Sequence, residues 1–114
     1  VDGAASEPDA VAAARVVARS NLFKCAMHGE DPNWGRIVAA VGTSTAEFDP
    51  DDLAVTINGA QVCARGAATG AAPPDLSGRE ITVVVDLGAG AFRGHVWTND
   101  LTAEYVAVNA EYPT

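Results

Sequence analysis

The sequence predicts an α+β fold, with helices packed on a mainly antiparallel sheet. Three observations carry that expectation. Up to Gly42 the apolar residues recur at helical spacing behind two recognisable helix starts. From Asp49 the pattern changes to strict alternation, broken by Asn58-Gly59 and Gly88-Ala89-Gly90. After Asp100 helical spacing returns, with Leu101, Tyr105, Val108 and Tyr112 at i, i+4, i+7 and i+11. The sum is two helices, two hairpins and a final helix.

The first helix starts at Ser6-Glu7-Pro8-Asp9. Ser6 can cap it, Pro8 sits in the first turn where a missing N–H costs nothing, and Asp9 completes a capping box. It should run to about Ser20, burying a stripe of Val11, Ala14, Val17 and Ala18, with Asn21 as an interruption. Leu22 to Met27 is a short apolar run that suits either one or two helical turns or a strand, and Gly29 ends it. Asp31-Pro32 reads as the second start, with Asp31 as cap, Pro32 at the first helical position, a stripe of Trp34, Ile37, Val38 and Val41, and Gly42 as the stop.

Leu53, Val55 and Ile57 then alternate with Ala54 and Thr56, and Asn58-Gly59 leads into Ala60–Ala64. Asn-Gly between two such runs marks a hairpin, because both turn residues need positive φ. Arg65 to Gly78 is an Ala/Gly/Pro loop that should be exposed. A second hairpin is expected from Ile81, Val83, Val85 and Leu87, through Gly88-Ala89-Gly90, to a return strand over Ala91–Thr98. Asp100 is placed to cap the last helix, and Pro113 closes it.

Composition bounds the function. The chain has 114 residues and a formal charge of −8, from 15 acids against 7 bases. No basic patch exists to displace counterions from a nucleic acid or to hold an anionic membrane surface. No apolar run is long enough to span a bilayer, and the first residues do not read as a signal peptide. There are 23 Ala and 14 Val but only 5 Leu and 3 Ile, so a core must be built from small side chains at close spacing or borrowed from another chain. Cys25 and Cys63 form no CxxC or Cys/His cluster and read as free thiols of a cytoplasmic protein. The opening at Val1 reads as a segment of a longer product, one unit over residues 1–114.

Reactive side chains are densest between Lys24 and Arg36. Cys25 with His28 invites a thiol nucleophile, against the simpler reading of Cys25 as a small core residue. Glu30 and Asp31 precede a helix N-terminus, where carboxylates satisfy free N–H groups. His28, Glu30 and Asp31 lack a fourth ligand at sensible spacing, so no metal is expected. Trp34 reads as core. Arg36 can pair Glu30 or Asp31, or bind a substrate carboxylate bidentately. His95 reads as a half-buried packing residue. At the C-terminus, a helix pinned by Tyr105 and Tyr112 would deliver Asn109 and the Thr114 carboxylate to a fixed place, either as packing or as part of a site.

The stretch from Asn21 to Arg36, ending in Gly29-Glu30-Asp31-Pro32-Asn33-Trp34-Gly35-Arg36, closely resembles a signature of the ornithine acetyltransferases, the bifunctional glutamate N-acetyltransferases of arginine biosynthesis. Trp97–Val106 and Asn109–Thr114 are similar to the same family's C-terminus, so the resemblance runs through the whole chain in order. The Ala- and Arg-rich, Lys-poor usage resembles a high-GC actinobacterial member.

That resemblance implies the C-terminal part of the family's DmpA-like α+β fold, in the β chain of an enzyme whose precursor cuts itself before an internal Thr. The new N-terminal Thr takes acetyl from N-acetylornithine and passes it to glutamate in a ping-pong scheme without a cofactor. Its freed amine is the base that activates the hydroxyl, and an oxyanion hole stabilises the tetrahedral intermediate. The α chain and the β chain stay together, typically as α2β2, in the cytoplasm. The nucleophile, oxyanion residues, substrate-binding Lys and the acid of the family's EGATK stretch would lie upstream of Val1, so no catalytic residue is assigned here. Asn109 and Thr114 match the family's C-terminal substrate-binding residues. Lys24 to Arg36 should brace the site or the subunit contact. A different class of function, a non-catalytic binding or assembly module on the same scaffold, is the alternative.

Overall fold

A computed structural model of the chain describes residues 1–102, 104 and 105. The C-terminal positions Asn109 and Thr114, and the expected helix through Tyr112, lie outside the described residues. Three helices come first: α1 (Glu7–Arg19), α2 (Asn21–His28) and α3 (Trp34–Val41). Four strands follow: β1 (Ala54–Ile57), β2 (Ala60–Ala64), β3 (Ala67–Ala68) and β4 (Val83–Asp86). They form one antiparallel sheet in the order β3-β2-β1-β4. The α+β class is as expected.

α1 begins where expected, with Ser6 Oγ accepting from the Asp9 N–H at 3.2 Å. The capping box is only half made, because the Asp9 carboxylate accepts from the Glu47 N–H at 3.0 Å. The buried stripe is Ala10, Ala13, Val17 and Ala18, so Ala10 and Ala13 take the places expected of Val11 and Ala14. Small residues there let α3 approach closely. Leu22 to Met27 is helical: Ser20 closes α1 and its Oγ caps α2 by accepting from the Phe23 N–H.

α3 starts two residues later than expected. Asn33, not Asp31, is the cap, its Oδ1 accepting from the Arg36 N–H at 3.3 Å. The reason is local: Glu30 turns at φ +55 and the Asp31 N–H still closes back on the Ala26 carbonyl at 2.8 Å, so Asp31 belongs to the turn that ends α2. Ile37, Ala40 and Val41 are buried on α3, while Trp34 and Val38 pack at the core's margin.

The Asn58-Gly59 hairpin forms with positive φ at both residues, and Ile57 pairs with Ala60. A bulge between Val55 and Thr56 then shifts the register so that Val55 faces Cys63. The loop from Arg65 is not wholly irregular. Arg65 and Gly66, also at positive φ, make a second tight turn into the short strand β3. Leu76, further along, is buried.

The second hairpin is not formed. β4 pairs with β1, and the N-terminal residues lie along its other edge. The Asp2 N–H donates to the Val85 carbonyl and the Leu87 N–H to the Asp2 carbonyl, at 2.8 and 3.0 Å. Ala4 and Phe92 exchange bonds in the antiparallel sense on the far side. The opening residues thus stand between β4 and the segment expected to return beside it. The Gly3 carbonyl takes the N–H groups of both Ala89 and Gly90 at 2.8 Å, which fixes that arrangement. Ile37, Leu53, Val55, Ile57 and Leu87 form the fully buried centre, and alanines of α1, α2 and α3 seal it.

Candidate functional site

α2 and the segment after the sheet build the main cleft. Asn21, Lys24 and His28 stand at i, i+3 and i+7 and so share one helix face. Phe23, Ala26 and Met27, on the opposite side, anchor the helix in the core. Across from that polar face runs the segment Thr98–Thr102. Three bonds hold it. Thr98 Oγ1 donates to the Ala18 carbonyl at 3.0 Å. The Leu101 N–H donates to the Lys24 carbonyl at 3.4 Å. His28 Nδ1 meets Asp100 Oδ2 at 2.8 Å.

Between helix and segment lies a cavity of about 750 Å³, lined by Asn21, Lys24, His28, Asn99, Asp100 and Thr102, among others. A recess beside it shares Lys24, His28, Asn99 and Asp100 and is bounded by Glu30, Ser77 and Arg79. The first cavity offers donors from Lys24, Asn21 and Asn99 and an acceptor from Asp100.

The expected site residues fare differently. Asp100 does not cap the last helix, because its carboxylate is committed to His28. Thr102 caps instead, its Oγ1 accepting from the Tyr105 N–H at 3.0 Å. Arg36 pairs with neither Glu30 nor Asp31 but donates from Nη1 to the Leu22 carbonyl at 2.8 Å, tying α3 to α2. Glu30 and Asp31 are exposed, and neither caps a helix. Cys25 is half-buried; His28, its expected partner, is the residue held by Asp100. Cys63, on β2, is fully buried, its Sγ 3.9 Å from the Leu53 carbonyl, and burial pushes its thiol pKa up. His95 is exposed, not half-buried, and meets Trp97 edge-on at 6.4 Å. Trp97 is 86% exposed. Among the described residues no group of three or more His, Cys, Asp or Glu can hold a metal ion.

Sequence reasoning missed the Asp100 contact. The face formed by Asn21, Lys24 and His28 depends on Leu22–Met27 being helical, which the short run leaves open, and the partner of His28 lies 72 residues away, which no local pattern carries.

A model of the ArgJ family matches residues 1–114. The arginine biosynthesis bifunctional protein ArgJ of Thermobifida fusca is 54% identical over 116 residues, which takes in 100% of this chain and 30% of that protein. The protein of the same description from Streptomyces avermitilis is 52% identical over 113 residues, 98% of this chain and 30% of its own length. The crystal structure of arginine biosynthesis bifunctional protein ArgJ from Bacillus halodurans superimposes with a TM-score of 0.87 at 31% identity, over 97% of this chain and 55% of that one. The fold implied by the resemblance is therefore the one observed, and the chain spans about 30% of the length of these curated relatives. With the family model running from the first residue to the last, the chain belongs to the ArgJ family.

Proposed function

We propose that this chain is the C-terminal part of the β chain of an acetyltransferase of arginine biosynthesis, moving an acetyl group from N-acetylornithine to glutamate. The observation that carries the reading is the family match over all 114 residues, joined to relatives described as bifunctional arginine-biosynthesis proteins. In this reading the nucleophile is the N-terminal threonine exposed by self-cleavage, outside residues 1–114. Its hydroxyl attacks the acetyl carbonyl, its own amine takes the proton, and ornithine leaves. The amine of glutamate then attacks the acyl-threonine and frees the hydroxyl. Backbone donors aimed at the developing oxyanion lower both barriers.

Residues 1–114 contribute the far end of the substrate site. Asn109 offers an amide and Thr114 a hydroxyl, which suit the ammonium and carboxylate of an amino acid. The bonds from Thr98, Asp100 and Leu101 to α1 and α2 support this reading, since they hold the segment that precedes those residues in sequence. The complete enzyme is a cytoplasmic α2β2 assembly of α chain and β chain that uses no cofactor.

In the complete enzyme, Asn109→Ala and deletion of Thr114 should each lower acetyl transfer by about tenfold or more, the loss of a charge-assisted bond to substrate. Both variants should still cleave themselves, which a denaturing gel reads directly. Unchanged turnover in both would remove the substrate role.

A further inference from the structure

We propose that the residues joined to the amino side of Val1 in the full-length protein form a strand that fills the groove between β4 and the segment 94–98. The proposal rests on the reading of residues 1–114 as the C-terminal part of a longer chain, in keeping with the 30% of its relatives' length that they span. Three features of the geometry lead to it.

First, the groove continues a slot that the opening residues already fill. Asp2 bonds to β4 on one side, through Val85 and Leu87. On the other side Val1 and Gly94 exchange two bonds, at 2.7 and 3.0 Å. These residues therefore hold β4 and the 92–94 stretch apart by two strand spacings, ~9.5 Å. Past Val1 the two walls run on. Between them lies an apolar groove of about 340 Å³, floored by Ala14, Val17 and Phe23 and walled by Ile81 and Val83 on one side and Val96 on the other.

Second, the register for a longer strand is already set. Asp2 pairs with Asp86 in the parallel sense, donating to the Val85 carbonyl and accepting from the Leu87 N–H. Alternation then puts the residue before Val1 against the Val83 carbonyl and the Val85 N–H. Val1 pairs with Gly94, so the second residue before Val1 falls opposite Val96, which makes no backbone bond among the described residues. Peptide groups on a covered edge destabilise the fold until they are paired. The Val1 ammonium stands at a ladder position that suits a neutral peptide N–H, and burial pushes its pKa down.

Third, the faces agree. A Cβ at Gly94 would meet Ala10 and Val11 of α1, and Thr98 Oγ1 bonds to Ala18 of the same helix, so 94, 96 and 98 face α1. Val1 packs against the core with them. The second residue before Val1 shares that face and is apolar; it covers Val96, which is 39% exposed without it. A segment continuous with Val1 enters this slot in register with no loop to close. A strand from a second copy would have to enter a slot already closed at Val1.

The test uses the full-length protein. Its intact mass establishes first that residues precede Val1. The residue before Val1 and His95 are then a directly opposed, non-hydrogen-bonded pair on the face turned away from α1, with Cα atoms ~4.5 Å apart, within reach of a disulfide. Cysteines at both positions, with Cys25→Ala to remove the half-buried native thiol, should be oxidised by diamide to an intrachain disulfide that peptide mass mapping locates. His95→Cys alone, in the same background, should not link. In the unsubstituted protein the Val96 amide should exchange at least about a hundredfold more slowly than in the unfolded chain. A mass that starts the chain at Val1 overturns the longer-chain reading and the strand with it. In a longer chain, a folded double-cysteine variant that stays unlinked overturns the strand alone, and so does fast exchange at Val96. A disulfide joining two copies gives the groove to the second copy and overturns the strand as well. Where the double-cysteine variant does not fold, exchange at Val96 decides.

Discussion

Two glycines show how far a single residue's conformation governs this fold. Gly59 and Gly66 both sit at positive φ, +82 and +71. A Cβ on Gly59 would meet nothing within 4 Å, whereas one on Gly66 would lie 2.6 Å from the Pro50 carbonyl oxygen. Gly59→Ala therefore costs only the left-handed conformation, about 1–2 kcal/mol. Gly66→Ala carries that cost and a backbone clash that no side-chain movement relieves. Urea unfolding of the complete protein should rank Gly66→Ala as clearly the less stable of the two, and equal midpoints would contradict the clash. The cysteines differ just as sharply. Cys63 is fully buried with a raised pKa, so at neutral pH it holds even less thiolate than a free thiol, and raising the pH restores reactivity only above the ordinary cysteine range. Cys25 is half-buried on α2. Brief alkylation of the native protein at pH 7.5 should label Cys25 and spare Cys63, as peptide mass mapping would report.

At the scale of elements, Ser20 is a pivot. It ends α1 through its N–H, bonded to the Val17 carbonyl, and begins α2 through its hydroxyl. Ser20→Ala should cost about 1 kcal/mol, and it should loosen the helix that carries Lys24 and His28. Thermal denaturation measures the first effect; hydrogen exchange over 21–28 measures the second. Elements were legible in the sequence wherever their signals were local. The Ser6 and Asn-Gly signals each depend on a few adjacent residues and led to the right structures. The cap of α3 is not legible in the sequence because Asp, Asn and Ser are near-equivalent caps. Asp31 and Asn33 compete within one turn, and the bond from the Asp31 N–H to the Ala26 carbonyl draws Asp31 into the turn that ends α2. Arg65-Gly66 escaped notice because arginine is a poor advertisement for positive φ, so β3 was read as loop.

The whole molecule was less legible than its parts, for reasons of topology. Alternation at Ile81–Leu87 identified a strand but not its neighbour. Gly88-Ala89-Gly90 looks like a hairpin turn, yet the backbone beside β4 comes from residues at the start of the chain. Sequence separation of that order leaves no periodic trace, and the same holds for His28 and Asp100, the pair at the centre of the cleft. Gly90 shows how tightly the opening residues are inserted: a Cβ there would fall 2.5 Å from the Ala4 carbonyl oxygen.

The proposed function has a bearing on the hydroxyls of the described part. Acyl transfer through threonine needs a hydroxyl beside a base. Four of the seven described threonines have engaged hydroxyls: those of Thr43, Thr69 and Thr98 donate to the carbonyls of Ala40, Gln61 and Ala18, and that of Thr102 accepts from the Tyr105 N–H. They are engaged in holding turns and segments together. The cleft offers Lys24, His28 and two asparagines, groups that bind and orient. Residues 1–114 prepared alone should therefore show no acetyl transfer between N-acetylornithine and glutamate, even where circular dichroism reports the mixed helix and strand content seen here. Coupled detection of released ornithine gives the answer. Turnover above the buffer blank would mean that the nucleophile lies within these residues, and the proposed division of labour between this segment and a threonine-bearing remainder would have to be abandoned.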